Sequence, residues 1–161
     1  MLYPKNIEQK LGFDKIREWL SEACISPLGK NFVQKIRFSD DYALVKKLQN
    51  QAAEFKLLLQ VESSFPSQNY LDVRDSLDLA AVPGTYLSEE HFYDLKVSLL
   101  TIQQIVHFFQ NKEEHQYPTL QELTKQSLPD QTEHGKAIEW KHITGKIDQI
   151  IDERGKVRDN A

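Results

Sequence analysis

The chain has 161 residues, of which 40% are hydrophobic and 27% are charged, and its formal net charge is −4. These fractions are typical of a folded globular protein and argue against a disordered chain. A small domain that binds nucleic acid mainly through phosphates is usually basic, so the acidic balance argues against a dedicated, free-standing nucleic-acid binder. A basic patch on one face of the protein is still compatible with this net charge.

The chain contains a single cysteine, Cys24, so no intramolecular disulfide can form and a reducing compartment is expected. The first residues lack the basic region and the apolar region of a signal peptide. No stretch approaches the roughly 18 apolar residues of a membrane span. We therefore expect a cytoplasmic protein with no membrane segment.

Apolar residues recur at steps of three and four along most of the chain, which predicts helices. The first two predicted helices cover 14–24 and 27–36, and Ser26 is expected to be the N-cap of the second. The next covers 41–60. Its apolar residues form one stripe over about five turns. They are Leu44, Val45, Leu48, Ala52, Phe55, Leu58 and Leu59.

The middle of the chain begins with a predicted loop over 62–70 and a short predicted helix over 72–81. Ser88 is expected to cap a second long helix, because acidic residues follow it and apolar residues continue at helical spacing. This helix is predicted to end in a polar turn near residue 110. A shorter helix is predicted to start at Pro118.

Residues 126–136 are polar, and we predict a mobile loop there. A final helix is predicted over roughly 137–152, and Gly155 suits a tight turn after it. The sum is an all-α chain of about seven helices. We predict an irregular orthogonal bundle that forms a single domain over 1–161.

The sequence assigns no catalytic, cofactor-binding or metal-binding residue. Cys24 lies near a predicted helix C-terminus, where the helix dipole disfavours the reactive thiolate. The chain contains no phosphate-binding Gly-x-x-x-x-Gly-Lys-[Ser/Thr] motif. We therefore expect no enzymatic activity in this chain. The five histidines are His91, His107, His115, His134 and His142. None of them has the spacing to other side chains that a known set of metal ligands shows.

The C-terminal segment leans basic, which raises the possibility of contacts with DNA phosphates. The alternative is an ordinary solvated face of mixed charge, because four acidic residues lie in the same segment. The six basic residues of the segment are Lys136, Lys141, Lys146, Arg154, Lys156 and Arg158.

Several short motifs in a fixed order resemble the N-terminal region of MutS-family proteins. They are Phe13-Asp14-Lys15-Ile16, Ser26-Pro27-Leu28-Gly29-Lys30, Asp72-Val73-Arg74-Asp75-Ser76-Leu77, Gly84-Thr85-Tyr86-Leu87-Ser88 and the closing run from Ile150 to Ala161. The most specific is the Asp-x-x-Gly-x-Val-x-Asp-x-Ala pattern that begins at Asp152. The chain looks most like the second MutS branch, the Smr-bearing type that lacks the mismatch-recognition N-terminal domain.

The resemblance implies a fragment of a larger protein, in which this region is the first part of the core and lever domain. A non-catalytic domain of this kind would couple a distant ATPase to DNA binding. ATP and Mg²⁺ would be bound by the parent protein, outside this chain. The parent would form a homodimer on branched or mismatched DNA and act in DNA mismatch repair or in the control of recombination, whereas the fragment would be monomeric.

Two other functions remain open from the sequence alone. The chain could be a stand-alone helical module that binds a partner protein. It could also be a weak, non-specific binder of duplex DNA that uses the basic residues of its C-terminal segment.

Overall fold

A computed structural model describes residues 6–127 and 140–158, without the side chains of residues 127, 140 and 141. Within these ranges the chain forms eight α-helices and no strand, which confirms the predicted all-α fold class. No helix in the same ranges is long and apolar enough to cross a membrane. In chain order the helices are α1 (Ile7–Lys10), α2 (Phe13–Ala23), α3 (Pro27–Lys35), α4 (Tyr42–Val61), α5 (Arg74–Ala80), α6 (Glu89–Gln110), α7 (Pro118–Ser127) and α8 (Trp140–Ile150).

Seven of these helices correspond to those predicted from the sequence, and α1 is additional. A four-residue helix with one apolar side chain has no periodicity to detect, which is why α1 escaped prediction. The first two residues of the predicted loop over 126–136 belong to α7. The rest of that loop, and residues 137–139 of the predicted final helix, lie outside the described residues.

Three helices begin after a residue whose side chain accepts a hydrogen bond from a backbone N–H in the first helical turn. Such N–H groups have no partner within the helix, so the bond stabilises the helix start. Ser26 Oγ accepts a hydrogen bond from Gly29 N at 3.1 Å, directly before the proline that begins α3. Asp41 Oδ1 accepts from Leu44 N at 3.0 Å at the start of α4. The predicted cap of α6 is confirmed, because Ser88 Oγ accepts from the backbone N–H of His91 at 3.3 Å.

The chain divides into two compact units, Met1–Phe38 with Tyr70–Asp72, and Ser39–Asn69 with Val73–Ala161. The single domain proposed from the sequence stays a prediction.

Arg17 of α2 holds the helices of the first unit together. One of its terminal nitrogens donates to the backbone carbonyl of Val33 at 2.6 Å, near the end of α3. The other lies 3.0 Å from a carboxylate oxygen of Glu8 in α1. The guanidinium also stacks 5.2 Å from the ring centre of Phe13. One side chain therefore joins α1, α2 and the C-terminal end of α3, where carbonyl groups lack helical partners.

The core of the second unit is an aromatic cluster between α4, α6 and α7. Phe65 comes from the loop after α4, and its ring centre lies 5.2 Å from that of Phe108 in an edge-on arrangement. Edge-on packing of this kind is favourable beyond the apolar area that it buries. The buried members of the cluster are Leu58, Phe108, Phe109, Tyr117 and Leu120.

Polar side chains complete the junction of these three helices. Glu62 Oε1 lies 2.7 Å from Lys112 Nζ and accepts hydrogen bonds from Tyr117 Oη and Gln116 Nε2. The hydrogen bond from Lys112 is the main cause that lowers the pKa of Glu62. Gln121 Nε2 donates to the carbonyl of Phe109 in the last turn of α6 at 3.4 Å and to that of Glu113 in the following turn at 3.1 Å.

Glu54 of α4 caps the N-terminus of α7 from a distant part of the chain. Its carboxylate accepts hydrogen bonds from the backbone N–H groups of Thr119 and Leu120, each at 3.0 Å. Negative charge at a helix N-terminus is favourable because the helix dipole is positive there. This contact ties α4 to α7 independently of the aromatic cluster.

Glu54→Ala is expected to lower the free energy of unfolding by about 1–2 kcal/mol, because two helix-terminal N–H groups lose a charged acceptor. Urea unfolding followed by circular dichroism measures the change. Glu114→Ala is the matched control, since this exposed glutamate has no hydrogen bond to the described residues. Equal stability of the two variants would contradict the capping role.

Candidate functional site

The predicted tight turn after α8 is present and is organised by Asp152. Asp152 Oδ1 accepts hydrogen bonds from the backbone N–H groups of Arg154 and Lys156, both at 2.8 Å. The backbone N–H of Asp152 donates to the carbonyl of Lys156 at 2.8 Å. We call residues 152–158 the 152–158 turn. The backbone N–H donors are the main cause that lowers the pKa of Asp152.

The 152–158 turn folds back on the end of α8 as a short antiparallel hairpin. Ile151 and Val157 form a β-bridge, and Arg158 N donates to the carbonyl of Ile150 at 2.9 Å. Ile151 is fully buried, whereas Val157 on the other side of the bridge is 52% exposed. The chain direction after α8 is therefore set by backbone pairing as well as by Asp152.

Gly155 is required by both backbone conformation and space. Its φ angle is +77°, in the left-handed region that favours glycine. A Cβ atom at this position would lie 3.0 Å from the ring of Tyr93 on α6. The glycine in the motif thus allows the turn to approach α6 closely.

Glu89 in the first turn of α6 binds the 152–158 turn with both carboxylate oxygens. Oε1 accepts from the backbone N–H of Val157 at 3.0 Å, and Oε2 lies 2.8 Å from Lys156 Nζ. The hydrogen bond to Lys156 is the first cause that lowers the pKa of Glu89, and the same bond raises the pKa of Lys156. We call this pair of contacts the Glu89 clasp.

A further contact joins α6 to α8 beside the turn. Lys96 Nζ of α6 pairs with Asp148 Oδ1 of α8. Together with the Glu89 clasp, this contact gives two ion pairs between the N-terminal half of α6 and residues 148–156.

The six basic residues proposed as phosphate contacts lie in different settings. Lys136 is outside the described residues, and the side chain of Lys141 in α8 is also outside them. Lys146 is exposed on α8. This residue is separate from the 152–158 turn, which holds the other three.

The 152–158 turn brings Arg154, Lys156 and Arg158 together, and two of them have internal partners. Lys156 pairs with Glu89, and Arg158 Nε donates to the carbonyl of Asp148 at 2.8 Å. A basic side chain that binds carbonyl groups at a helix C-terminus stabilises that end of the helix. The structure thus gives Lys156 and Arg158 local structural roles, although all three residues are exposed.

The sequence did not reveal Glu89 and Tyr93 as partners of the turn. Glu89 was interpreted only as an acidic residue in the first turn of a helix. Its contact with Lys156 spans 67 positions, and no local pattern reports a pairing at that separation. The one available signal was Gly155, since a glycine in a specific motif indicates a close approach or a positive φ.

No group of three or more metal-ligating side chains occurs in the portion of the chain that the structure describes. His107 Nε2 lies 3.0 Å from Asn111 Nδ2 at the end of α6. Cys24 Sγ donates to the carbonyl of Leu20 at 3.1 Å. Both groups are engaged in local contacts of a helix end.

Comparison with known proteins finds relatives that match nearly the whole chain. The chain is 28% identical over 155 residues to Endonuclease MutS2 of Geobacillus sp. (strain WCH70), covering 94% of this chain and 18% of the relative. It is 28% identical over 156 residues to Endonuclease MutS2 of Exiguobacterium sibiricum, covering 97% and 19%. The chain is a homologue of MutS2 proteins. Endonuclease MutS2 of Alkaliphilus oremlandii is 26% identical over 153 residues.

The homology confirms the resemblance found in the sequence motifs. The chain spans less than a fifth of the length of these MutS2 relatives. No protein-family profile matches the chain. No solved structure matches it significantly.

Gly155→Ala is expected to destabilise the chain by about 1–2 kcal/mol through its left-handed φ alone, with a further cost from the contact with Tyr93. Gly145→Ala is the matched control, because this glycine lies in α8 and a Cβ there meets nothing within 4 Å. That control is expected to gain about 0.5–1 kcal/mol, as alanine is the better helix former. Thermal unfolding of both variants measures the two changes in stability, which are expected to have opposite signs. Destabilisation by both substitutions would contradict the account.

The Glu89 clasp predicts a specific pH dependence of stability. Because the pKa of Glu89 is lowered on folding, its contribution is fully present above the pKa of the unfolded chain and is lost as pH falls through the folded pKa. The stability difference between the native chain and Glu89→Gln should therefore shrink from about pH 7 to about pH 3.

Glu90→Gln is the control for this pH series, since Glu90 is the exposed neighbour in the same helical turn. Urea unfolding at each pH gives the free energies. At the alkaline end, the raised pKa of Lys156 means that its contribution is lost as pH rises through that folded pKa. A pH-independent difference between the native chain and Glu89→Gln would contradict the clasp.

Proposed function

We propose that this chain is a non-catalytic structural domain of a MutS-family protein that acts in DNA repair and the control of recombination. Its role is that of a core and lever element, which couples a distant ATPase to DNA binding. The observation that supports this proposal most strongly is homology to MutS2 proteins over nearly the whole chain.

The geometry of the second unit suits mechanical coupling. The Glu89 clasp, the Lys96–Asp148 ion pair and the close approach of Gly155 to Tyr93 all join α6 to the end of α8. Helices joined by several such contacts move together, and a displacement at one end is then passed to the other. The 152–158 turn is the part of this assembly that belongs to the most specific family motif.

The remaining functions are assigned to the protein that would contain this chain. That protein would bind ATP and Mg²⁺ elsewhere, form a homodimer and bind branched or mismatched DNA in the cytoplasm. The word endonuclease in the names of the relatives describes those longer proteins, and we place no nuclease chemistry in residues 1–161. Direct phosphate contact by the six basic residues stays a prediction. The four whose side chains are described, Lys146, Arg154, Lys156 and Arg158, are all exposed, and the last two also have contacts within the chain.

A chimeric protein tests the coupling role. In the Geobacillus MutS2, the homologous segment is replaced by this chain, and ATP hydrolysis is measured with and without branched DNA. Introducing Glu89→Ala is expected to leave basal hydrolysis unchanged and to reduce the response to DNA several-fold, because the clasp lies in the coupling path and outside the ATPase.

Glu90→Ala is the matched control for the chimera and should preserve the response to DNA. An unchanged DNA response in the Glu89→Ala chimera would contradict the coupling role. ATP hydrolysis by residues 1–161 alone would contradict the non-catalytic assignment.

A further inference from the structure

The first unit buries little apolar surface. In its described part, residues 6–38 and 70–72, Val33 is the one buried residue. Large apolar side chains are exposed instead, with 66% of Trp19 on α2 and 72% of Phe32 on α3 accessible to solvent. A segment of about 40 residues seldom buries enough apolar surface to be stable by itself. Apolar packing therefore stabilises this unit less than the aromatic cluster stabilises the second unit.

The three helices of the first unit follow each other closely along the chain. Helix α2 packs against both α1 and α3. We call residues 7–36 the α1–α3 segment. Contacts between helices that are neighbours in sequence can form and break together without a change in distant elements. The segment thus has the chain continuity that a locally unfolding unit requires.

Polar contacts of Arg17 stand at the centre of the α1–α3 segment, where a larger domain would have an apolar core. The side chain of Arg17 is 13% exposed. Besides the carbonyl of Val33 and the carboxylate of Glu8, both terminal nitrogens donate to the carbonyl of Ile36 at 3.3 Å. A largely buried guanidinium needs such acceptors, because a charge buried without partners is strongly unfavourable. Arg17 therefore orients the helices in a way that the exposed apolar residues do not.

We propose that the α1–α3 segment is a separately opening part of the fold and that Arg17 is the residue that keeps it folded. The segment opens and closes as one cooperative unit while the second unit stays folded, because regions with few buried apolar contacts open at a lower free energy than a core. A ligand or protein that binds only one of the two forms then shifts this equilibrium without unfolding the second unit.

This inference is independent of the proposed coupling role, since Arg17 is outside the contacts that join α6 to the end of α8. The competing possibility is a single cooperative structure in which both units unfold together, as most small domains do. The two possibilities predict different patterns of amide hydrogen exchange. Under the proposal, α2 and α3 open by a smaller transition than α6. In a single cooperative structure, all three helices share the same transition.

Residue-specific amide hydrogen exchange of the chain of residues 1–161, in increasing but subdenaturing urea, distinguishes these possibilities. After correction for intrinsic rates, we expect amides inside α2 and α3 to exchange about tenfold faster or more than amides inside α6. Their exchange should depend less steeply on urea, because a smaller surface becomes exposed. The same urea dependence in α2 and α6, or different dependences in α2 and α3, would overturn the proposal.

Arg17→Met tests the role assigned to Arg17. Methionine keeps an unbranched side chain of good helix propensity but has no donor for the carbonyl groups. We expect exchange throughout α2 and α3 to accelerate about tenfold or more, with α6 amides within about twofold of the native chain. Lys15→Met is the matched control, because Lys15 is an exposed basic residue of the same helix. It should leave exchange in all three helices unchanged.

The test remains decisive if Arg17→Met unfolds the α1–α3 segment completely. Loss of protection in α2 and α3 with retained protection in α6 is the expected result in its strongest form. Acceleration of α6 by the same factor as α2 would overturn the proposal in favour of a single cooperative structure. Equal effects of Arg17→Met and Lys15→Met on α2 would overturn the role of Arg17.

Discussion

The carboxylate of Glu89 is the contact on which the end of the described chain depends. It binds a backbone N–H and an ammonium group of the 152–158 turn at once. Its position in the first turn of α6 adds the favourable effect of the helix dipole on negative charge. Because Asp152 and Gly155 shape the turn and Glu89 attaches it, the direction of the chain after α8 is defined by three residues.

Carboxylates also join distant elements around the aromatic cluster of the second unit. Glu54 and Glu62 of the α4 region bind groups of α7 and of the end of α6, beside a small aromatic core. A core of this size leaves many apolar residues exposed, as on α4. Long-range carboxylate contacts then determine how the helices are arranged, since they are directional where apolar packing is not.

Most helices could be predicted from the sequence, because periodicity and caps such as Ser26 and Ser88 are local signals. The tight turn at Gly155 was predictable for the same reason. The partners of Glu54, Glu62 and Glu89 could not be predicted, since each contact spans 50 positions or more. The exposure of several residues of the apolar stripe on α4 was also beyond prediction, because a periodic pattern shows which face is apolar but not which of its residues are buried.

Amide hydrogen exchange at Val157 tests the central claim that the 152–158 turn is fixed to α6. The N–H of this exposed residue has the Glu89 carboxylate as its acceptor. We predict that it exchanges as slowly as amides inside α6 and that Glu89→Ala accelerates it selectively, with the α6 amides unchanged. Exchange at the rate of an unprotected loop amide in the native chain would contradict the account.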